Sequence, residues 1–159
     1  MAKIALNDST ITDTTASDHI TYKVYEYQGQ TPDYCVSWDN EGYCTRWDSD
    51  DIYEWVDHTT SATVKGKAVS TVTNVTIQGK APIVQGDKTA ENDSYNLPSG
   101  GVYVSGSHTS AQGSVTVGNS NNVFINGKSV ATDSSTVTTH AGTSSKINGG
   151  TSSTVTIGS

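Results

Sequence analysis

Residues 122–131 read Asn122-Val123-Phe124-Ile125-Asn126-Gly127-Lys128-Ser129-Val130-Ala131. An apolar run, Val123 to Ile125, leads into Asn126-Gly127, as a short strand that ends in a tight turn does. Two upstream segments follow the same plan. Thr63-Val64-Lys65-Gly66-Lys67-Ala68 and Thr76-Ile77-Gln78-Gly79-Lys80-Ala81 match Phe124-Ile125-Asn126-Gly127-Lys128-Ser129, and a worn fourth copy is Thr154-Val155-Thr156-Ile157-Gly158. Each unit is an alternating strand ended by a Gly, which takes a positive φ without a steric penalty, while the following Lys stays in water. Each unit is therefore expected to be half a hairpin.

Composition agrees with a thin strand-rich fold. Of 159 residues only 33% are hydrophobic, with one Phe and one Met against 15 Gly. Charged residues are only 16%, whereas a disordered chain of this polarity normally carries more charge and fewer β-branched residues. Val, Ile and Thr in short alternating runs favour backbone ladders over a large core. The net charge of −7 and the single Arg, Arg46, argue against a nucleic-acid partner, which calls for a basic face. The segment Met1–Thr10 lacks the apolar stretch of a secretory signal, so no signal peptide is expected, and no apolar run is long enough for a membrane helix.

The chain changes character near residue 59. Before it lie Trp38, Trp47 and Trp55, six of the eight Tyr, both Cys and twelve of the sixteen acidic residues. Ile20 to Tyr27 alternates as a strand. Tyr34–Trp38 and Tyr43–Trp47 flank Asp39-Asn40-Glu41-Gly42 and form a plausible hairpin. Cys35 and Cys44 would be near neighbours across it. Three states are open to them: reduced thiols, a local disulfide, or half of a zinc site, although their spacing is not a standard ligand spacing. Asp48 to Val56 reads as a short helix or a loop.

Ile83-Val84-Gln85-Gly86-Asp87-Lys88-Thr89 parallels Ile4-Ala5-Leu6-Asn7-Asp8-Ser9-Thr10. Both run a strand into a Gly/Asn-Asp turn and a Thr. Residues 1–12 and 61–159 are therefore expected to form one β domain, with 13–60 an aromatic, acidic hairpin insertion.

These features resemble the PAAR-repeat proteins, which cap the spikes of contractile injection machines. Asn122 to Ala131 looks like their Val-x-Ile/Val-Asn-Gly-Lys-x-Val-Ala unit. Gly86-Asp87-Lys88-Thr89 looks like their opening turn, and Gly101-Val102-Tyr103-Val104-Ser105-Gly106-Ser107 like a stretched Val-x-x-Gly-Ser segment. The resemblance covers residues 1–12 and about 61–159. It implies an all-β, small conical domain of short strands and tight Gly turns. It also implies one zinc or iron ion held near the apex by His and usually Cys. Thr138-Thr139-His140-Ala141-Gly142 stands where the family carries Cys-x-x-His-Gly, with Val137 in place of the Cys. His108 and His140 are the candidate ligands, with His19 or His58 to complete the set; the alternative is four ordinary histidines and no metal.

Other chemistry finds little support. Asp48-Ser49-Asp50-Asp51 lacks the spacing and Gly of a calcium loop. No Gly-x-Ser-x-Gly elbow, Walker or dinucleotide motif occurs, so no enzyme is expected. The function implied by the resemblance is a structural spike tip in a virion tail baseplate or a type VI secretion apparatus. It would be monomeric itself, one per trimeric spike or hub protein, assembled in the bacterial cytoplasm, and would touch the target outer membrane only as it pierces it. Residues 13–60 would contact the baseplate or ornament the tip. The alternative is another β-repeat structural protein: a tail-fibre, capsid-decoration or adhesin module.

Overall fold

A computed structural model describes residues 1–119 and 122–158. Among them the regular structure is all β: β1 (Ala2–Ala5), β2 (Thr14–Gln30), β3 (Tyr34–Trp38), β4 (Cys44–Asp48), β5 (Asp51–Val69), β6 (Lys88–Ser94), β7 (Val102–Ser105), β8 (Ser114–Val115), β9 (Phe124–Ile125), β10 (Lys128–Ser129), β11 (Thr136–Thr138), β12 (Ser144–Lys146) and β13 (Thr151–Ile157). Seven of them form one curled sheet in the order β12-β11-β8-β6-β5-β2-β7.

The domain is organised by an internal threefold repeat. The segments 4–11, 82–89 and 130–137 fold alike. In each, a positive-φ residue (Asp8, Gly86 or Ser134) makes a tight turn. The next residue, Ser9, Asp87 or Ser135, is buried. Its side chain accepts the amide of Leu6, Val84 or Thr132 respectively, at 2.8–2.9 Å. A buried polar side chain is thus paired in all three copies, as it must be to avoid a desolvation cost of about 1–3 kcal/mol each.

The copies close on one another. Ala5 donates its amide to the carbonyl of Ala131, Ala131 to that of Ile83, and Ile83 to that of Ala5, each at 2.9 Å. The bridges Leu6–Pro82, Val84–Val130 and Thr132–Ile4 repeat this cycle one residue on either side. Each turn also exchanges hydrogen bonds with a second strand, at Ala68, Val115 or Ile147. The first core cluster comprises these equivalents: Ala5, Ile83 and Ala131; Ala68, Val115 and Ile147; Ile11 and Val137. Thr89 holds the position matching Ile11 and Val137.

Three arms precede the three turns. Two are the expected hairpins, Ile77–Lys80 across Gln78-Gly79 and β9–β10 across Asn126-Gly127. Both central residues of each have positive φ, the two-residue turn whose twist suits a hairpin. The third arm is β13 paired with β1, Ile157 opposite Ala2. Ile77, Ile125 and Ile157 point inward onto a second apolar cluster with Ile4, Leu6, Val72, Val84 and Val130.

Two readings of the sequence are corrected. Gly66 ends no strand: it lies inside β5, and a Cβ there would come within 2.7 Å of Glu91 Cγ, so it is a close-packing glycine and not half a hairpin. Asp48 to Val56 is neither helix nor loop. After Asp48 ends β4, the chain enters β5 at Asp51, and every residue from Asp51 to Thr60 has a partner in β2 across the ribbon.

β2 and β5, at 17 and 19 residues, exceed the usual strand length. Their inner ends belong to the domain, where Ala16, Ile20, Ala62 and Val64 are buried. Their outer halves, 21–30 and 51–60, leave it as a ribbon on the order of 30 Å long, edged by β7 as far as Lys23 and two-stranded beyond. At its end β3 and β4 form the hairpin read from the sequence, locked by a Cys35–Cys44 disulfide with Cα atoms 5.8 Å apart. Of the three states open to the cysteines, this is the one the structure adopts.

Candidate metal centre

The threefold plan also builds a site. Past each turn the chain leaves the scaffold and returns: between Ile11 and Gly66, between Thr89 and Gly113, and between Val137 and Ser145. The first two crossings are closed by the same amide-to-carbonyl bond, Ile11 to Gly66 and Thr89 to Gly113, and the third by the Val137–Ser145 pair. The excursions differ greatly in length, yet their starts converge on the side away from the arms. The first supplies His19, the second Asp93 and His108, the third His140. One ligand atom from each lies within 4.8 Å of all the others.

Each side chain has a local reason for its place. His19 sits in a bulge of β2 between Ala16 and Ile20, where Asp18 takes φ 50°. The bulge breaks the alternation and turns His19 toward the axis. Asp93 belongs to β6, whose odd residues Thr89, Glu91 and Asp93 all face inward and whose even ones face water. His108 follows Gly106-Ser107, where the chain leaves β7. His140 lies in the tight β11–β12 turn, closed by Thr139 and Thr143 and by Gly142 at φ 77°.

Asp93 is the centre of the cluster, its side chain fully enclosed. Its Oδ2 accepts the backbone amide of His108 at 2.9 Å and lies 3.1 Å from both His108 Nδ1 and His19 Nε2. Burial pushes its carboxyl up. The hydrogen bonds from His108 and His19 and the nearness of His140 outweigh that and hold it below the usual carboxylate range. The site therefore keeps a negative charge at any physiological pH.

The decisive geometry is at His140. Its Nδ1 lies 2.7 Å from Glu91 Oε2, which also accepts its backbone amide at 2.8 Å. Glu91 is buried, and its other oxygen is taken by the Thr89 hydroxyl. A carboxylate can only accept, so Nδ1 carries a proton, and in the neutral form of the ring Nε2 is a bare lone pair. That lone pair stands 3.2 Å from Asp93 Oδ1. Both atoms are buried and neither has a hydrogen-bond partner. In the neutral ring two acceptors face each other out of water, which is costly, and either a proton on Nε2 or a metal cation between the two atoms removes the cost. A carboxylate behind a histidine, fixing its tautomer and raising its basicity, is the usual support of a metal-ligating imidazole.

Three of the four histidines considered from the sequence thus meet. His58 does not: its Nε2 lies 2.6 Å from Glu26 Oε1 and its ring stacks on Tyr22, out on the ribbon. Sequence reasoning missed Asp93 and its neighbour Glu91. The signal was the strand Lys88-Thr89-Ala90-Glu91-Asn92-Asp93-Ser94, in which the acids share a face with Thr89 and the other face carries Lys, Ala and Asn.

The sign of the pH dependence follows. Asp93, depressed in the folded state, contributes stability that is complete above its unfolded value of about 3.9 and fades as pH falls through the lower folded value. A metal held here would be released as the pH falls, because protons compete with it for the ligand lone pairs. Dialysis across a pH series, followed by elemental analysis, is expected to show bound metal at pH 7.5 and its loss between about pH 6 and 4. Full retention at pH 4 would remove the histidines from the ligand set.

No family model matches the chain, no curated protein matches it, and no solved structure matches it.

Proposed function

We propose that this protein is a spike tip: a single chain that caps a threefold-symmetric shaft and carries a metal-pinned point at its far end. The observation that carries the reading is the closed cycle of three backbone hydrogen bonds through Ala5, Ile83 and Ala131. A single chain gains nothing obvious in stability from mimicking a threefold axis. A chain that must seat on a trimer gains three equivalent contacts. The three arms, Ile77–Lys80, β9–β10 and β1–β13, offer strand edges for those contacts, and such edges are an aggregation hazard when left bare.

The metal reading fits the same mechanical role. Three imidazoles and one carboxylate suit zinc or ferrous iron among the common ions. Bound there, the ion would tie all three excursions together beyond the two core clusters, where few apolar side chains besides Ile20 and Val64 are buried. Both core clusters lie on the scaffold side, and the apex is polar. His19, His108, His140 and Asp93 would hold the ion, while Glu91 orients His140. The four ligand positions leave no role for a substrate, so the site is read as structural. The PAAR-type resemblance of Asn122 to Ala131 and Gly86 to Thr89 supports the reading from the sequence side. It points to a contractile tail or a type VI secretion machine.

Stoichiometry tests it. Mixed with a trimeric spike protein of a contractile machine from the same source, the chain is expected to give a complex of one copy per three spike chains by native mass measurement. A homotrimer of this chain with no affinity for a spike would overturn the proposal. It would favour the other structural reading, a fibre, decoration or adhesin module.

A further inference from the structure

The ribbon carries a feature that neither the threefold scaffold nor the metal site uses. No aromatic ring belongs to either core cluster. Instead the rings crowd onto residues 22–55. Tyr25 and Tyr27 in β2 and Tyr53 and Trp55 in β5 are cross-strand partners with side chains on one face of the ribbon. All four are about half exposed. Their centroids follow one another at 5.3 Å (Trp55 to Tyr25), 5.5 Å (Tyr25 to Tyr53) and 5.6 Å (Tyr53 to Tyr27), with Lys23 Nζ 5.0 Å from the Trp55 ring at one end. Beyond them Trp38, Tyr43 and Trp47 stand more than 60% exposed around the disulfide. Cross-strand stacking accounts for part of this arrangement. It does not require the outer faces to be left in water, and exposed apolar surface of this extent marks a binding site.

Charge identifies the occupant. Residues 20–60 hold nine acidic side chains against two basic ones, Lys23 and Arg46, a local net charge of −7. That field repels phosphate-rich surfaces and anionic lipid. Protein interface cores are depleted of charge, whereas here Asp51 and Asp57 flank Tyr53 and Trp55 on the same face of β5, Glu54 pointing to the other. A neutral sugar chain meets both demands. Its C–H faces stack on Tyr and Trp rings, and its hydroxyls donate to carboxylates, which only accept.

We infer that the Tyr25–Tyr27–Tyr53–Trp55 face is a binding site for a neutral oligosaccharide, lying along the ribbon. The site is independent of the spike-tip reading, since it needs neither the metal nor a trimeric partner.

The test uses the full chain. Intrinsic tryptophan fluorescence and calorimetry are followed against neutral oligosaccharides of glucose, galactose, mannose and N-acetylglucosamine, two to six units long. Vesicles of pure phosphatidylcholine, and of phosphatidylcholine with phosphatidylglycerol, serve as the membrane arms. Saturable binding of at least one oligosaccharide is expected, weakened at least tenfold by Trp55→Ala and by Tyr25→Ala. Unchanged metal content and an unchanged far-ultraviolet spectrum would show that the variants fold. As a second measurement, Val104→Ala, an exposed change on neighbouring β7, should leave binding intact. Binding to none of the sugars overturns the inference. Binding to vesicles without sugar binding overturns it in favour of a membrane-surface role. Sugar binding that survives both aromatic substitutions moves the site elsewhere and overturns the assignment.

Discussion

His140→Ala is expected to strip the protein of its metal. The purified chain should carry about one zinc or iron ion. The variant should carry next to none, because it loses one of four ligands and leaves Glu91 and Asp93 as two buried carboxylates with nothing between them. His58→Ala is the matched control and should retain the ion in full, since His58 is engaged by Glu26 on the ribbon. The stability effect follows from linkage. An ion present at 100–1,000 times its dissociation constant stabilises the folded chain by about 3–4 kcal/mol, or about 10 °C in a domain of this size. A chelator should therefore lower the melting temperature of the native protein by that amount and leave His140→Ala unmoved. Equal melting temperatures with and without chelator, or a metal-loaded His140→Ala, would remove the site from the protein.

The second large effect is expected from the smallest change. Gly106 has φ 105°, and a Cβ built on it would lie 2.1 Å from the His19 carbonyl oxygen and 3.2 Å from the Ile20 Cα. All the obstructing atoms are backbone, so no side chain can swing aside. Gly106→Ala must force β7 away from the β2 bulge, at a cost of about 3 kcal/mol or more, and it moves His19 with it. Weaker metal binding, by about 10–100-fold, should accompany the drop in melting temperature. Gly79→Ala is the comparison. It has φ 76° but open space around it, so only the conformational penalty of about 1–2 kcal/mol applies and metal affinity should not change. If the two variants prove equally stable, the close approach of Gly106 to His19 is not what holds that wall of the site.

The strand framework was legible because its signals are local. The strand-then-turn pattern of Asn122–Ala131, the Gln78-Gly79 and Asn126-Gly127 turns, and the kinship of Ile83–Thr89 with Ile4–Thr10 each show within ten residues, although the structure matches 82–89 with 4–11, so that Ile83 corresponds to Ala5 and not to Ile4. The third copy of that last element, Val130–Thr136, escaped notice: its turn uses Asp133-Ser134, which carries no Gly. Gly66 was misread because a packing glycine and a turn glycine look alike until the opposite side chain, Glu91, is known. The histidines stood out by rarity, and three of the four meet in the site. Asp93 did not stand out, since one Asp on an alternating strand looks like any solvated face. Its meaning depends on His19, 74 residues away. Asp48–Val56 read as a short helix or a loop, whereas pairing with β2 from Asp51 onward decides its state.

The internal threefold has a consequence for how such a chain would sit on its partner. On a trimeric shaft the three arms would be nearly equivalent, so the proposed seating would have three rotational settings. The ribbon arises from only one excursion, between Ile11 and Gly66, and therefore records which setting was taken. Across a population of assembled particles it would point in three directions, a third of a turn apart. An image averaged under imposed threefold symmetry would spread it over all three and leave the scaffold sharp. Any difference among the arms, such as the open β1–β13 pair beside the two closed hairpins, would show up as unequal occupancy of those directions.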